Sequence, residues 1–165
     1  MINARADTVA TKPAFRKAFR QRLCLVVADG FCEWKKLNRR KQPYYVRLQD
    51  GQPFAFAGLW EHWNRGDSPI DSCTILTTDA NELVGSIHDR MPVILNPADY
   101  DLSLDPDVQD TKRLEALLVP YTSEAMAAYP VSTLVNNPKA DDPRCIEPVA
   151  PRANDPSECR PDGAA

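Results

Sequence analysis

The sequence lacks the features of a membrane or secreted protein. No apolar run is long enough to span a bilayer, and the opening Met-Ile-Asn-Ala-Arg-Ala-Asp contains no apolar core of a secretory signal. We therefore expect a cytoplasmic protein with no membrane partner. The formal net charge is −3, which excludes a global positive field. Any contact with nucleic acid would therefore come from a local basic patch.

Glycine is scarce and proline abundant, with 6 and 15 residues respectively among 165. This ratio favours many short, stiffly turned segments over long helices. The cysteines are odd in number and contain no Cys-x-x-Cys pair, which argues against a disulfide framework and against a zinc knuckle. We expect most of them to be small buried residues or free thiols. They are Cys24, Cys32, Cys73, Cys145 and Cys159.

Apolar runs bounded by turn residues predict several short strands. An Asp-Gly turn at 50–51 predicts that the strands 43–48 and 53–60 pair as a hairpin. The charged run 35–41 is interpreted as a hairpin loop. The other predicted strands are 23–28, 31–34, 72–78 and 93–95, with a possible last strand at 131–135.

Helical spacing of apolar residues predicts four short helices, at 11–22, up to His88 from an N-cap at Asp79, at 97–102 and at 111–118. Strands and helices do not alternate regularly, so we expect an α+β fold with a mainly antiparallel sheet. The folded domain is predicted to cover residues 1–147. The Pro-, Asp- and Ala-rich remainder, 148–165, is predicted to be a disordered tail.

Three stretches contain candidate chemistry. Ile87-His88-Asp89-Arg90-Met91-Pro92 sets an imidazole beside an Asp-Arg pair at the start of a strand, where it could transfer protons near neutral pH or simply cap a helix. Glu33 lies between large aromatic residues that would raise its carboxyl pKa, although it could equally face solvent or pair with a cation. Asn3 and Arg5 would share one side of an extended segment and could hold a phosphate.

Other readings of these residues remain open. Cys32 and His88 could form a Cys–His hydrolase, but strand alternation points Cys32 and Glu33 to opposite faces, which favours a core thiol. Segment 35–41 could contact phosphates or be a solvated loop. A zinc site has the right ligand types without the local spacings, so no metal site is predicted; its ligands would be Cys24, Cys32, Cys73, His62 and His88.

Four motifs occur in an order that resembles the SOS response-associated peptidase family, the abasic-site processing proteins. They are Asn3-Ala4-Arg5-Ala6 with Thr8, Ala28-Asp29-Gly30-Phe31-Cys32-Glu33-Trp34, Phe56-Ala57-Gly58-Leu59-Trp60-Glu61, and the His88 motif. The resemblance covers residues 1 to about 150. It implies a twisted, barrel-like antiparallel sheet with short flanking helices. It also implies a shallow basic cleft for single-stranded DNA that carries abasic sites, and no cofactor.

The resemblance also implies roles for individual residues. In the family, an N-terminal cysteine that is freed by autoproteolysis captures the abasic-site aldehyde as a thiazolidine, a covalent DNA–protein cross-link. Asn3 would position the reacting sugar, Glu33 would open the deoxyribose ring, and His88 would transfer protons. The implied DNA contacts are Asn3, Arg5, Trp34 and Arg90.

One departure from the family pattern concerns the nucleophile. The family begins Met-Cys-Gly-Arg-Phe, whereas the second residue here is Ile2. The expectation is therefore that a segment of the domain preceding Asn3 is missing, and with it the nucleophile. The predicted function is abasic-site processing with peptidase or lyase chemistry, associated with the nucleoid if the protein is bacterial. The alternative is a non-catalytic DNA-binding remnant.

Overall fold

Two β-sheets form the framework of the computed structural model, which describes residues 1–38, 40–64, 68–108 and 110–150. Sheet A has the strand order β1-β6-β5-β2, with β7 also paired to β6, and sheet B has the order β3-β4-β8. The strands are β1 (Asn3–Arg5), β2 (Leu23–Ala28), β3 (Phe31–Leu37), β4 (Arg40–Leu48), β5 (Phe54–Trp63), β6 (Ile70–Asp79), β7 (Arg90–Pro92) and β8 (Met126–Pro130).

The helices are short and connect or flank the strands. None of those in the described ranges is long and apolar enough to span a membrane. The α-helices are α1 (Ala6–Val9), α2 (Arg16–Gln21), α3 (Glu82–Gly85), α4 (Tyr100–Leu104) and α5 (Thr111–Glu115). Single 3₁₀ turns occur at Pro97–Asp99, Ser123–Ala125, Thr133–Asn136 and Pro143–Cys145.

The predicted α+β class with a mainly antiparallel, twisted arrangement is confirmed. Every strand pairing is antiparallel except that of β1 with β6. The strands of the described residues form two separate sheets and do not close into one barrel. The chain passes from sheet A to sheet B between β2 and β3. Gly30 lies in this crossing, and a Cβ atom there would overlap the ring of Tyr45.

Two hydrophobic clusters cover the two faces of sheet A. One of them, the helix-side cluster, lies between sheet A and the helices and includes Phe19, Leu59 and Leu114. The other joins sheet A to sheet B, and there the rings of Phe31 and Phe56 meet edge to face at 5.8 Å. Burial of these side chains stabilises the fold by roughly 1.5–3 kcal/mol for each large one.

The predicted hairpin of 43–48 with 53–60 is wrong. The Asp50-Gly51 turn exists, with Gly51 at φ 71°, but β4 pairs with β3 and β8 whereas β5 pairs with β2 and β6. The turn therefore passes from sheet B to sheet A. The predicted loop 35–41 is also wrong in part, because its lysines belong to the paired strands β3 and β4.

Three further boundaries differ from the predictions. The segment 11–22 forms a turn followed by α2, not one continuous helix. The N-cap of α3 is Asn81, whose side chain accepts a hydrogen bond from the Val84 amide, so Asp79 remains in β6. The last strand is β8, and the predicted strand 131–135 is largely a 3₁₀ turn. The α3 difference has a local cause, the Asn81 cap.

The predicted tail lies outside the described residues from 151 onward. Its first residues are described, and they are paired with the end of sheet B. Pro148 forms a bridge with Val131, and the Val149 amide donates a hydrogen bond to the Pro130 carbonyl. The division into 1–147 and 148–165 stays a prediction.

Candidate active site

Asn3 and Arg5 lie on one face of β1, as predicted from an extended segment. Ala4 between them is buried against the helix-side cluster, while its two neighbours are exposed. β1 runs parallel to β6, with Asn3 opposite Ile75 and Arg5 opposite Thr77. Because Ile75 packs against the cluster between the sheets, Asn3 and Arg5 point toward the sheet B side of sheet A.

The segment that follows His88 fills a gap between two strands of sheet A. Strands β5 and β6 diverge beyond the Gly58–Ile75 pair. The segment lies between them, since the Val93 amide donates to Leu76 and the Val93 carbonyl accepts from Ala57. This insertion places His88 at the end of sheet A beside β6.

His88 is exposed and is oriented by its neighbours in the motif. Its Nδ1 lies 3.1 Å from the Arg90 amide nitrogen and 3.2 Å from the Arg90 carbonyl oxygen, so this nitrogen has a partner whether it accepts or donates. The Asp89 carboxylate lies 3.2 Å from the same nitrogen. These contacts hold Nδ1 and leave Nε2 as the ring nitrogen for proton transfer.

Glu33 is half-buried on β3, and its chemistry depends on that burial. Desolvation raises the pKa of its carboxyl group, and the charge of Asp89 acts in the same direction. The positive form of His88 and the Trp34 amide lower this pKa without cancelling the rise. The structure thus brings Glu33 of sheet B within electrostatic reach of His88 of sheet A.

Arg5 is an exposed guanidinium that is already paired. It donates from Nε and Nη2 to the Asp7 carboxylate, at 3.1 Å and 2.6 Å. Hydrogen bonding and the charge of Asp7 raise the pKa of Arg5, with smaller contributions from Asp79 and Asp89. The bidentate pair leaves Nη1 of Arg5 for an incoming anion.

Arg90 is mostly buried, and its guanidinium joins parts of sheet A. Nη1 contacts Asp79 at 2.6 Å and Nη2 donates to the Thr77 carbonyl at 2.6 Å. Its side chain is 17% exposed, and its buried Nε has no partner among the described residues. Arg90 therefore holds β7 against β6, and a DNA contact from it stays a prediction.

Trp34 is held through its polar atom. Its indole N–H donates to Asn136 Oδ1 at 2.7 Å, which ties β3 to the 3₁₀ turn after β8. The ring is half-buried, so stacking with a base is restricted to its open side.

Cys32 lies away from His88, on the face of β3 opposite to Glu33. Burial raises the pKa of its thiol, with further contributions from Cys145 and Glu33. A raised pKa disfavours the thiolate that a nucleophile needs, so the arrangement gives no support to a Cys–His hydrolase. Among the described residues, no group of three or more His, Cys, Asp or Glu side chains is placed to hold a metal ion.

The motifs in the sequence do not include Asp7 and Asp79, the carboxylates that pair with Arg5 and Arg90. Asp7 could have been suspected from its spacing to Arg5 in an extended-to-helical turn. The pairing of Asp79 with Arg90 depends on the β6–β7 register, which has no local signal. The site combines Arg5 and Arg90 with the carboxylates of Glu33, Asp7, Asp79 and Asp89. The basic cleft that the resemblance implied stays a prediction.

Comparisons with known proteins agree on one family. The family model "SOS response associated peptidase (SRAP)" matches residues 1–138. The abasic site processing protein YoqW of Bacillus subtilis is 48% identical over 149 residues, which cover 89% of this chain and 66% of that protein. The abasic site processing protein HMCES of Gallus gallus is 31% identical, over 89% of this chain and 50% of that protein.

A solved structure supports the same assignment. The crystal structure of a protein from Bacteroides thetaiotaomicron superposes with a TM-score of 0.83 at 31% identity, over 90% of this chain and 66% of that one. The chain thus spans about half to two thirds of the length of these relatives. On this evidence, the chain belongs to the SOS response associated peptidase (SRAP) family.

Proposed function

We propose that this chain processes abasic sites in single-stranded DNA, and that Glu33 and His88 carry the proton transfers. The observation that supports the proposal best is the half-buried Glu33 carboxyl on β3, whose pKa is raised by burial and which lies within electrostatic reach of His88. Relatives named abasic site processing proteins make the substrate class a reasonable assignment to this chain. Such activity would place the protein with DNA in the cytoplasm.

The first step of the proposed reaction is opening of the deoxyribose ring. The neutral Glu33 carboxyl donates a proton to the ring oxygen as the C1′–O bond of the ring breaks, and the C1′ hydroxyl loses a proton to a base. The product is an aldehyde with no change in atoms or net charge. A carboxyl group whose pKa is raised by burial is better suited to this donation than an exposed one.

The second step is capture of the aldehyde. In the complete family form that the resemblance implies, the amine and thiol of an N-terminal cysteine add to the aldehyde carbon and release one water, which closes a thiazolidine ring. His88 would transfer protons during formation and loss of the intermediate Schiff base. Asn3 would position the sugar, and Arg5 would bind the flanking phosphate through its remaining donors. Peptidase and lyase activities belong to this same proposal.

Ring opening can be measured in this chain with an external nucleophile. An alkoxyamine probe reacts only with the open aldehyde, so its rate of attachment to a single-stranded oligonucleotide with one abasic site reports ring opening. We expect the chain to accelerate attachment and Glu33→Gln to remove the acceleration. A denaturing gel of the same reaction would detect any covalent protein–DNA adduct.

A second candidate is a DNA-binding protein without catalysis, in which the exposed Arg5 would bind a phosphate and Glu33 would transfer no proton. Fluorescence anisotropy with the same oligonucleotide separates the two functions. Binding without any acceleration of probe attachment would contradict the catalytic proposal and support the second candidate.

A further inference from the structure

A cluster of cations lies on the helix side of sheet A, away from the candidate active site. No Asp or Glu occurs between Asp7 and Asp29, although this stretch contains five basic residues. Four of them precede or belong to α2 and are exposed; they are Lys12, Arg16, Lys17 and Arg20. In the described part of the chain, none of the four takes part in an ion pair or a side-chain hydrogen bond. We call these four residues the α2 patch.

The fold holds the α2 patch together in one place. Ala18 and Phe19 anchor α2 in the helix-side cluster, so the basic side chains must face outward. Arg16 and Arg20 are four residues apart on this helix, which places their Cβ atoms about 6 Å from each other. Together with Lys17 and Gln21 they line a shallow groove.

The chemistry of the α2 patch favours a polyanion. Unpaired cations held close together repel one another, and a row of phosphates relieves that repulsion and releases counterions. A membrane surface is disfavoured because the two aromatic residues of this stretch, Phe15 and Phe19, are buried and cannot insert into lipid. The active site, by contrast, pairs its arginines with Asp7 and Asp79.

The α2 patch is also connected to the active site by the path of the chain. From Arg5 the chain passes through α1, which packs on β6, and then through α2, which packs on β5 and β2. The cations therefore follow the helix side of sheet A, starting from the edge strand that bears Arg5.

We propose that the α2 patch binds the phosphodiester backbone of nucleic acid outside the abasic-site pocket. This inference rests on the proposed function for the identity of the polymer. The contact would be independent of base sequence, because phosphate contacts position a strand without reading its bases. It would lengthen the bound segment and supply the positive charge that the candidate active site itself lacks.

The test compares short and long oligonucleotides without an abasic site. The variant Arg16→Glu with Arg20→Glu is measured against Lys112→Glu with Arg113→Glu, which makes the same charge change on the exposed face of α5. For an oligonucleotide of about 25 nucleotides, we expect the α2 variant to weaken binding about tenfold at 0.1 M salt and to reduce the slope of log K against log salt by about 1.4. For one of about 6 nucleotides we expect little change.

Several results would overturn the inference. Equal weakening by the α2 and α5 variants would indicate a general charge effect, and unchanged binding of the long oligonucleotide would show that the α2 patch does not bind nucleic acid. The glutamine variants at positions 16 and 20, checked by thermal unfolding, keep the test valid if glutamate perturbs folding. Ring opening is measured separately, so its failure with length-dependent binding intact would contradict the proposed function alone.

Discussion

Arg5 and Arg90 have different roles in the site because Arg5 is exposed and Arg90 is mostly buried. Arg90 donates hydrogen bonds to the Asp79 carboxylate and the Thr77 carbonyl, so it fixes the geometry of the strand after His88. Arg5 is exposed and held by a single carboxylate, Asp7, which leaves it free to exchange partners. Of the two, Arg5 is the residue that can respond to a bound phosphate.

Replacing Asp7 tests whether it competes with DNA for Arg5. Asp7→Asn removes a negative charge from the site and releases Nε and Nη2 of Arg5. We expect the affinity for a short single-stranded oligonucleotide to rise about threefold, or roughly 0.6 kcal/mol, which is within the range of an exposed ion pair. Asp107→Asn is the matched control on an exposed loop. Weaker binding by Asp7→Asn would mean instead that Asp7 holds Arg5 in its binding position.

The raised pKa of Glu33 predicts that the free energy of unfolding depends on pH. Its pKa is higher in the folded state than the ordinary value of 4.5. The stabilisation from its bound proton is thus present below that ordinary value and is lost as pH rises through the folded-state pKa. Glu33→Gln remains neutral, so we expect it to be more stable than the wild type at pH 7, by no more than about 1 kcal/mol because the group is half-exposed.

Urea unfolding at pH 7 and near about pH 4 measures the difference in stability between Glu33→Gln and the wild type. The advantage of Glu33→Gln should vanish near about pH 4, where the wild-type carboxyl is also protonated. A wild type that is the more stable protein at pH 7 would show that the carboxylate, and not the acid, is the favoured form.

At the scale of elements, the crossing between the sheets is the point at which Glu33 is positioned. Asp29 and Gly30 connect β2 to β3, and the Tyr45 hydroxyl donates to Asp29 Oδ1 while its ring covers Gly30. This packing holds sheet B, and with it Glu33, in a defined position relative to sheet A.

Gly30→Ala would therefore act on the crossing itself. The added methyl group overlaps the buried Tyr45 ring, and we expect a loss of about 2 kcal/mol in the free energy of unfolding. Gly85→Ala is the control, since its Cβ would meet only Ala80 at 4.0 Å within a helix and should be neutral or slightly stabilising. Chemical denaturation of both variants gives the comparison, and an equally stable Gly30→Ala would contradict the packing described.

Local sequence predicts some elements well and their pairing poorly. The six apolar residues of β2 lie between Arg22 and an Asp-Gly turn, so both ends of the strand carry a signal, and its bounds agree with the prediction. The Asp50-Gly51 turn signals a reversal but not the sheet to which the next strand belongs. That choice depends on the pairing of β5 with β2, which lies well before it in the sequence.

The candidate site shows the same limit. The motifs that contain Asn3, Glu33 and His88 are recognisable along the chain, and β1, β3 and the segment before β7 bring them to adjoining edges of the two sheets. The partners of these motifs come from register and from remote turns, as with Asp79 for Arg90 and Asn136 for Trp34. Such contacts form only after the sheets assemble, so periodicity and spacing do not encode them.

At the scale of the whole molecule, charge is separated by location. The net charge is −3, yet the unpaired cations of the α2 patch lie on the helix side, while the active site balances its arginines with carboxylates. We interpret this separation as a division between strand binding and proton transfer. A protein of this kind would depend strongly on salt for affinity and only weakly for the reaction itself.

The central claim is that the Glu33 acid opens the abasic-site sugar. The most direct measurement is the rate of alkoxyamine attachment to an abasic oligonucleotide between about pH 5 and 8, after subtraction of the rate without protein. The account predicts an acceleration that falls as pH rises through the raised pKa of Glu33 and that is absent in Glu33→Gln but intact in Glu115→Gln. An equal acceleration by the wild type and Glu33→Gln at every pH would contradict it.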